Sequence, residues 1–153
     1  MRGAVLKRNL HLVVEGEMDA RILCTLLKHD DYKNVHYSVA GGYHKMSDIV
    51  STLRLMLEPE DRILVVFDSD TENPTDVEDK INTMTYLTKA DISRVKIKIF
   101  AFVPDIERSL FGMSKQEIKS KDLDMATLLK DNFENVKQKE IIRQMQSFLD
   151  LNL

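Results

Sequence analysis

The chain has 153 residues, 43% of them hydrophobic and 31% charged, which is typical of one globular domain. Its net charge of −3 argues against a protein that binds nucleic acid through bulk positive charge, although bound divalent cations can reverse the sign of an acidic site. No apolar run approaches the ~18 residues of a membrane span, and the single cysteine, Cys24, excludes a disulfide framework. These features favour a cytoplasmic protein without membrane contact.

The first predicted strand is an almost continuous apolar run over residues 10–14. Such a run is typical of a strand that is covered on both faces, as in parallel sheets. The strand ends at Glu15 and Gly16, and apolar residues at helical spacing predict a helix over residues 17–29.

A second strand is predicted over residues 35–40, and the only glycine pair of the chain, Gly41 and Gly42, follows it. A glycine pair between a strand and a helix is either a plain turn or a phosphate-binding loop. Lys45 is accordingly either a phosphate contact or a solvated lysine. The next helix is predicted to begin near Ser47, acting as its N-cap.

The third predicted strand, residues 62–67, is the most apolar and is therefore expected to be central. It runs directly into Asp68 and Asp70. Beyond this exit loop, Thr75 and Glu78 have the spacing of a capping box, which predicts a helix there.

The fourth predicted strand covers residues 95–103, where Lys96 and Lys98 alternate with isoleucines. This alternation indicates an edge strand with one exposed face. Pro104 and the acids that follow it, up to Glu107, end the strand.

After these four strands the alternation stops, and a capping box of Ser114 and Glu117 is followed by predicted helices over residues 123–133 and 137–149. The predicted fold class is α/β: an open parallel sheet flanked by helices over residues 1–112. A helical C-terminal extension over residues 113–153 is expected to pack on the same domain.

Carboxylates follow three of the four predicted strands, and one more lies a helical turn beyond the first; they are Glu15, Asp19, Asp68, Asp70 and Glu107. In parallel sheets ligands bind beyond the carboxyl ends of the strands, so these acids are expected to converge. They would repel one another unless a cation lay between them, and oxygen ligands favour Mg²⁺ or Mn²⁺ over zinc. Any one of these acids alone is more often a solvated residue or a helix cap.

The motif Val-Val-Glu-Gly at residues 13–16, followed by Val-Val-Phe-Asp-Ser-Asp at residues 65–70, resembles the Toprim domain of topoisomerases, primases and related nucleases. The resemblance covers roughly residues 10–107. It implies a small parallel sheet flanked by helices, in agreement with the strand and helix pattern.

Among Toprim proteins the pattern is most similar to the OLD-family nucleases, whose first motif carries a second acid four residues after the glutamate and which have a further acid after the next strand. By this resemblance two Mg²⁺ or Mn²⁺ ions would be held by Glu15, Asp19, Asp68, Asp70 and Glu107, with all but Asp19 also catalytic. OLD enzymes use a lysine further along the chain; Lys119 and Lys121 are both candidates. OLD proteins usually join Toprim to an ATPase, and this chain has no Walker sequence, so the resemblance implies that the ATPase is either absent or supplied by a separate subunit. A role in phage defence is likewise implied by the resemblance.

The predicted activity is two-metal hydrolysis of phosphodiester bonds in a nucleic acid substrate, either DNA or RNA. Positive side chains that could reach the substrate backbone are Lys45, Arg108, Lys115, Lys119 and Lys121. Topoisomerase strand passage is disfavoured because no tyrosine has the context of a nucleophile.

Other interpretations use the same motifs. A primase-like phosphotransfer enzyme would use the same acids, but the chain has no room for a template-binding domain. Dehalogenase-type phosphatases carry Asp-x-Asp on the first strand, and receiver domains carry their acid pair there; this chain has Glu-Gly instead. A non-catalytic Toprim-like regulatory subunit is the alternative outside enzymes, and it could dock to an ATPase through the C-terminal helices. A homo-oligomer is compatible with all of these interpretations.

Overall fold

The computed structural model describes residues 8–28 and 32–150. Four strands form one parallel sheet in the order β2-β1-β3-β4. The strand and helix elements of the first part are β1 (Arg8–Val14), α1 (Glu17–Leu26), β2 (Tyr32–Val39), α2 (Met46–Met56), β3 (Arg62–Asp68), α3 (Pro74–Thr88) and β4 (Lys96–Phe102). Five helices follow: α4 (Ile106–Phe111), α5 (Lys115–Ser120), α6 (Met125–Asp131), α7 (Phe133–Lys137) and α8 (Glu140–Leu149). The predicted α/β class, an open parallel sheet flanked by helices, is confirmed.

Two apolar layers cover the two faces of the sheet, because successive side chains of a strand point to opposite sides. On one face, Leu10, Leu12 and Val14 of β1 pack in a cluster that also contains Ile22 of α1 and Ile142 of α8. The C-terminal helices therefore share a core with the strand that carries the first acidic motif.

The second layer lies on the opposite face and contains Val13 of β1 and Val65 of β3. Met46 and Val50 of α2, together with Met84 of α3, cover these strands. With helices on both faces, the internal strand β3 is buried along residues 62–67, as its apolar sequence predicts.

The edge position predicted for the fourth strand is confirmed, since β3 is the only described strand with which β4 pairs. Lys96 and Lys98 are exposed while Ile97 and Ile99 are buried. Among the described residues, no helix is both long and apolar enough to cross a membrane.

Two of the predicted helix caps are wrong, and the third is confirmed. Helix α2 begins at Met46 after a short 3₁₀ turn, with no side-chain cap from Ser47. Helix α3 is capped by Asn73, whose Oδ1 accepts the backbone N–H groups of Thr75 and Asp76. Proline at the first helical position fits this start, because its fixed φ is helical and it has no N–H to satisfy. The capping box that begins α5 forms as predicted.

The predicted helix over residues 123–133 is shorter in the structure, because α6 spans Met125–Asp131 and α7 begins at Phe133. The N-cap of α6 is Asp124, which accepts from the Thr127 amide, and its C-cap is Asn132, where φ is −117°. The backbone N–H and the side-chain amide of Asn132 both donate to the Leu128 carbonyl, and such a local side-chain bond favours a break there. The last helix begins at Glu140 rather than at residue 137. The first helix ends at Leu26, before the predicted end at residue 29, which itself lies outside the described residues.

Replacing Asn73 by alanine should destabilise the protein by about 1 kcal/mol, because two amides of α3 lose their acceptor. Denaturant unfolding measures this loss. Thr75→Ala is the matched control: if Thr75 were the cap it would be equally costly, whereas the structure predicts no loss.

Candidate functional site

Glu15 joins the carboxyl ends of two neighbouring strands. Strands β1 and β3 run parallel with Val14 opposite Val66, so the residue after β1 lies beside the end of β3. The Glu15 Oε1 atom accepts the backbone N–H of Asp68 at 2.7 Å. One carboxylate oxygen thus satisfies an amide at the end of the sheet, where the ladder of β1 and β3 stops.

Asp68 extends this connection to the segment after β4. Its Oδ1 accepts the backbone N–H of Ile106, the first residue of α4, at 3.0 Å. The next residue, Glu107, is 8% exposed, and its Oε2 is buried without a hydrogen-bond partner. The ends of β1, β3 and the segment after β4 therefore carry acids that are tied together through backbone amides.

Asp19 approaches the same place from the first turn of α1, where acids also favour the helix dipole. Burial raises the pKa of Asp19, the charge of Lys115 opposes this shift, and the charge of Glu15 adds to it. The two acids of the first motif are thus electrostatic neighbours, as their spacing predicts.

Asp68, which is half-buried, has a strongly raised pKa. Burial raises its pKa to about 7, with further contributions from the charges of Asp19, Glu107 and Glu15, in that order. Burial also raises the pKa of Glu107. Four predicted ligands are therefore brought together in a place where their full ionisation is unfavourable without a cation.

The cation that the chain itself supplies is Lys115. Its Nζ lies 3.9 Å from Glu107 Oε1, and the charge of Glu107 raises the Lys115 pKa, with additional contributions from Asp68 and Asp19. The Lys115 side chain is 69% exposed, so this ion pair is weak and the ammonium can move. Sequence reasoning named Lys115 only as a general phosphate contact. The signal for its position was the capping box at Ser114, which makes Lys115 the first residue of α5.

Asp70 is the one predicted ligand that the structure leaves at the surface. It is exposed, adopts a positive φ of 57°, and donates its amide to the Pro104 carbonyl at 2.8 Å. The exit loop that carries it is supported by Lys80, whose Nζ donates to the Ser69 carbonyl at 2.6 Å. The Tyr43 hydroxyl in turn donates to the Lys80 carbonyl. Lys80 is a supporting residue that no sequence motif marked.

The predicted phosphate contacts are spread over the surface. Lys45 ends the 3₁₀ turn and is exposed, Lys121 is exposed at the end of α5, and Arg108 pairs with Glu117 at 3.8 Å. Of the five positive side chains named from the sequence, Lys115 and Lys119 share a cleft with one of the site acids, Glu107. This cleft has a volume of about 300 Å³ and is lined by Glu107, Lys115, Ile118, Lys119, Asp122, Leu123 and Met125.

The donor set suits a hard divalent cation, since it consists of carboxylates and includes a buried oxygen of Glu107 without a partner. Within residues 8–28 and 32–150, however, no three His, Cys, Asp or Glu side chains are already arranged to hold a metal ion. Glu15 and Asp68 each direct one oxygen to a backbone amide, which leaves the other free to bind a metal. The residues fit Mg²⁺ or Mn²⁺ provided that the side chains close in on the ion.

No family model, curated protein or solved structure matches this chain. The resemblance to Toprim domains and OLD nucleases therefore stays a prediction based on the two sequence motifs and the order of their strands.

Removing the charge of Asp68 should stabilise the metal-free protein at high pH. The folded-state pKa is raised to about 7, so the native state keeps a proton that the unfolded state has lost, and stability falls as the pH rises from about 4 to about 7. Asp68→Asn retains the acceptor for the Ile106 amide and should add about 1 kcal/mol at pH 8, after allowance for solvent screening.

Thermal unfolding in a chelator, at pH 4 and at pH 8, measures this effect. The gain should vanish at pH 4, and Asp70→Asn, at an exposed position in the same loop, should show no comparable gain at either pH. An equal gain at both pH values would contradict an ionisation effect.

Proposed function

We propose that this protein is a divalent-metal-dependent nuclease that hydrolyses phosphodiester bonds of DNA or RNA. The observation that supports this proposal best is the grouping of acids at one edge of the sheet, where Glu15 and Asp68 each bind a neighbouring backbone amide and a buried oxygen of Glu107 has no hydrogen-bond partner among the described residues. Chains rarely keep mutually repelling acids in a half-buried place unless a cation or a proton uses them. The order of the acids along the chain, with its resemblance to OLD nucleases, gives the reaction class.

The ions would be held by Glu15, Asp19, Asp68 and Glu107, with Asp70 at the exposed rim of the site. Bound divalent ions supply positive charge to a scissile phosphate and make water more acidic. Glu15 would contribute its second oxygen while the first keeps β1 and β3 together. Asp68, titrating near neutral pH, would lose its proton when an ion binds.

The substrate phosphate would enter through the 300 Å³ cleft, where two lysines face the buried acid Glu107. Lys115 and Lys119 are one helical turn apart on α5, so both ammonium groups can reach one strand of nucleic acid. An ammonium at this position would offset the negative charge of the phosphate as it approaches the carboxylates.

Cleavage of mixed DNA and RNA substrates with Mg²⁺ or Mn²⁺ tests the activity. Glu15→Ala and Asp68→Asn should each lower the rate by roughly 100-fold or more, since each removes a ligand charge. Asp70→Ala tests whether the exposed acid joins the site. Glu72→Gln is the matched control, an exposed acid in the same loop, and should cleave like the parent. Full activity in Asp68→Asn would refute the assignment of the site.

Lys115→Met should separate metal binding from catalysis. Loss of the ammonium should tighten Mn²⁺ binding by about threefold or more, because a competing positive charge beside Glu107 is gone. The cleavage rate should fall, by roughly tenfold, because the phosphate loses its counter-charge. Calorimetry and single-turnover cleavage measure the two effects. Lys121→Met, which removes an exposed lysine at the other end of α5, should change neither.

The predicted ATPase partner belongs to the proposal as a separate subunit. Mn²⁺ binding by the parent without any cleavage would favour such a missing partner, because the site would then be intact but inactive alone. Binding that is lost in Asp68→Asn would show that the ion occupies the proposed site in that case.

A non-catalytic binding subunit is the second candidate, and a specific feature favours it. A groove of about 520 Å³ lies between α1 and the helices α6 and α7, and its apolar lining includes Met18, Ile22, Leu129 and Phe133. The lack of a preformed three-residue metal group in the described part of the chain points the same way. If the parent binds no Mn²⁺ and cuts no substrate, this candidate replaces the nuclease.

A further inference from the structure

Two histidines face each other across the first two strands, away from the carboxylate site. His11 of β1 is the register partner of His36 of β2. Their ring centroids are 6.0 Å apart, and the planes differ by 26°. The Nε2 atom of His11 lies 2.8 Å from the Ser38 hydroxyl. Three polar side chains therefore gather on one face of two adjacent strands.

On this face of the sheet, the apolar layer ends at His11 and His36. Two residues further along β1, Val13 is fully buried against α2, and the partner of His11 on β3 is the buried Ile63. Towards β2 the neighbour is instead His36, which is exposed, while His11 itself is half-buried. One imidazole is thus held by its surroundings and the other is open to solvent.

The surroundings also keep His11 ready to act as a ligand. Burial lowers its pKa to about 4, and the nearby His36 adds to this shift, so the imidazole is neutral at physiological pH. A neutral imidazole nitrogen prefers borderline transition metals, whereas carboxylates prefer Mg²⁺. The hydroxyl of Ser38 orients the His11 ring and can yield the Nε2 nitrogen to an ion.

We propose that His11 and His36 form a two-imidazole site for a borderline divalent metal such as Zn²⁺ or Ni²⁺. Waters, or the Ser38 hydroxyl, complete the coordination. Because the described residues provide no third His, Cys, Asp or Glu here, the ion is exchangeable, unlike the closed four-ligand sites of structural zinc. The bound ion links the edge strand β2 to β1.

The pair is separate from the acids, since His11 precedes Glu15 by four residues, or about 13 Å along an extended strand. The inference therefore stands or falls independently of the nuclease proposal. Titrations with Ni²⁺ or Zn²⁺ in the presence of excess Mg²⁺ keep the two sites apart, because Mg²⁺ competes for the carboxylates and not for imidazole.

Calorimetric titration of the full chain with Ni²⁺ tests the site. The affinity should fall by roughly tenfold or more in His36→Ala and in His11→Gln, since each leaves one imidazole. His36 is exposed, so its variant should fold normally and decides the question even if His11→Gln does not fold. His44→Ala, which removes another exposed histidine, is the matched control and should bind like the parent. Equal affinity in the parent and His36→Ala would overturn the proposal.

Pulsed electron paramagnetic resonance with Cu²⁺ alone counts the coordinated imidazoles. The parent should give the signature of two imidazoles, and His36→Ala that of one. A parent spectrum with a single imidazole would also overturn the site, because the proposal requires both rings on one ion.

Discussion

The hydrogen bond from the Asp68 amide to the Glu15 carboxylate, 2.7 Å long, is the interaction on which the edge of the sheet depends. Strands β1 and β3 are the two internal strands, and their ladder stops one residue before this contact. The carboxylate continues the pairing with a side chain, and Asp68 does the same towards Ile106. The backbone at the end of β3 and at the start of α4 is thus fixed in each case by an acid from the neighbouring strand. The scaffold and the site consequently share atoms, which sets a limit on how freely these acids can be replaced.

The same arrangement creates an electrostatic cost that the fold does not remove. A carboxylate that accepts an amide hydrogen bond is normally stabilised in its charged form, yet burial and three neighbouring acids raise the pKa of Asp68 to about 7. Lys115 offsets only part of this repulsion, since its ammonium is mostly exposed and 3.9 Å from Glu107. The buried Oε2 of Glu107 has no hydrogen-bond partner within residues 8–28 and 32–150. An ion of higher charge than an ammonium would relieve each of these costs at once.

Local pattern was enough to predict the sheet and the position of most acids. The uninterrupted apolar runs of β1 and β3 mark buried parallel strands, and the alternating lysines of β4 mark an edge, because periodicity of burial is a direct consequence of strand geometry. Asp19 could be placed near Glu15 because α1 starts immediately after the strand.

The predictions that failed concern either a choice between neighbouring residues of similar chemistry or the packing of residues distant in sequence. Thr75 and Asn73 are both good caps, and only the proline between them, with its fixed φ, decides in favour of Asn73. Asp70 lies in the same motif as Asp68, but its backbone has a positive φ and the residue is exposed. The choice of Lys115 over Lys119 depends on the direction in which α5 leaves the core, which no local pattern encodes.

The location of Lys115 has a consequence for how this protein can be divided. The acids lie at residues 15 to 107, whereas the ammonium that pairs with Glu107 comes from α5, and Ile142 and Met145 of α8 belong to the apolar core on one face of the sheet. A chain cut after Gly112 would keep every carboxylate, yet lose both its internal counter-ion and one wall of its core. Grafting the acidic segment alone onto another protein would therefore transfer the mutually repelling carboxylates without the lysine that partly offsets their charge.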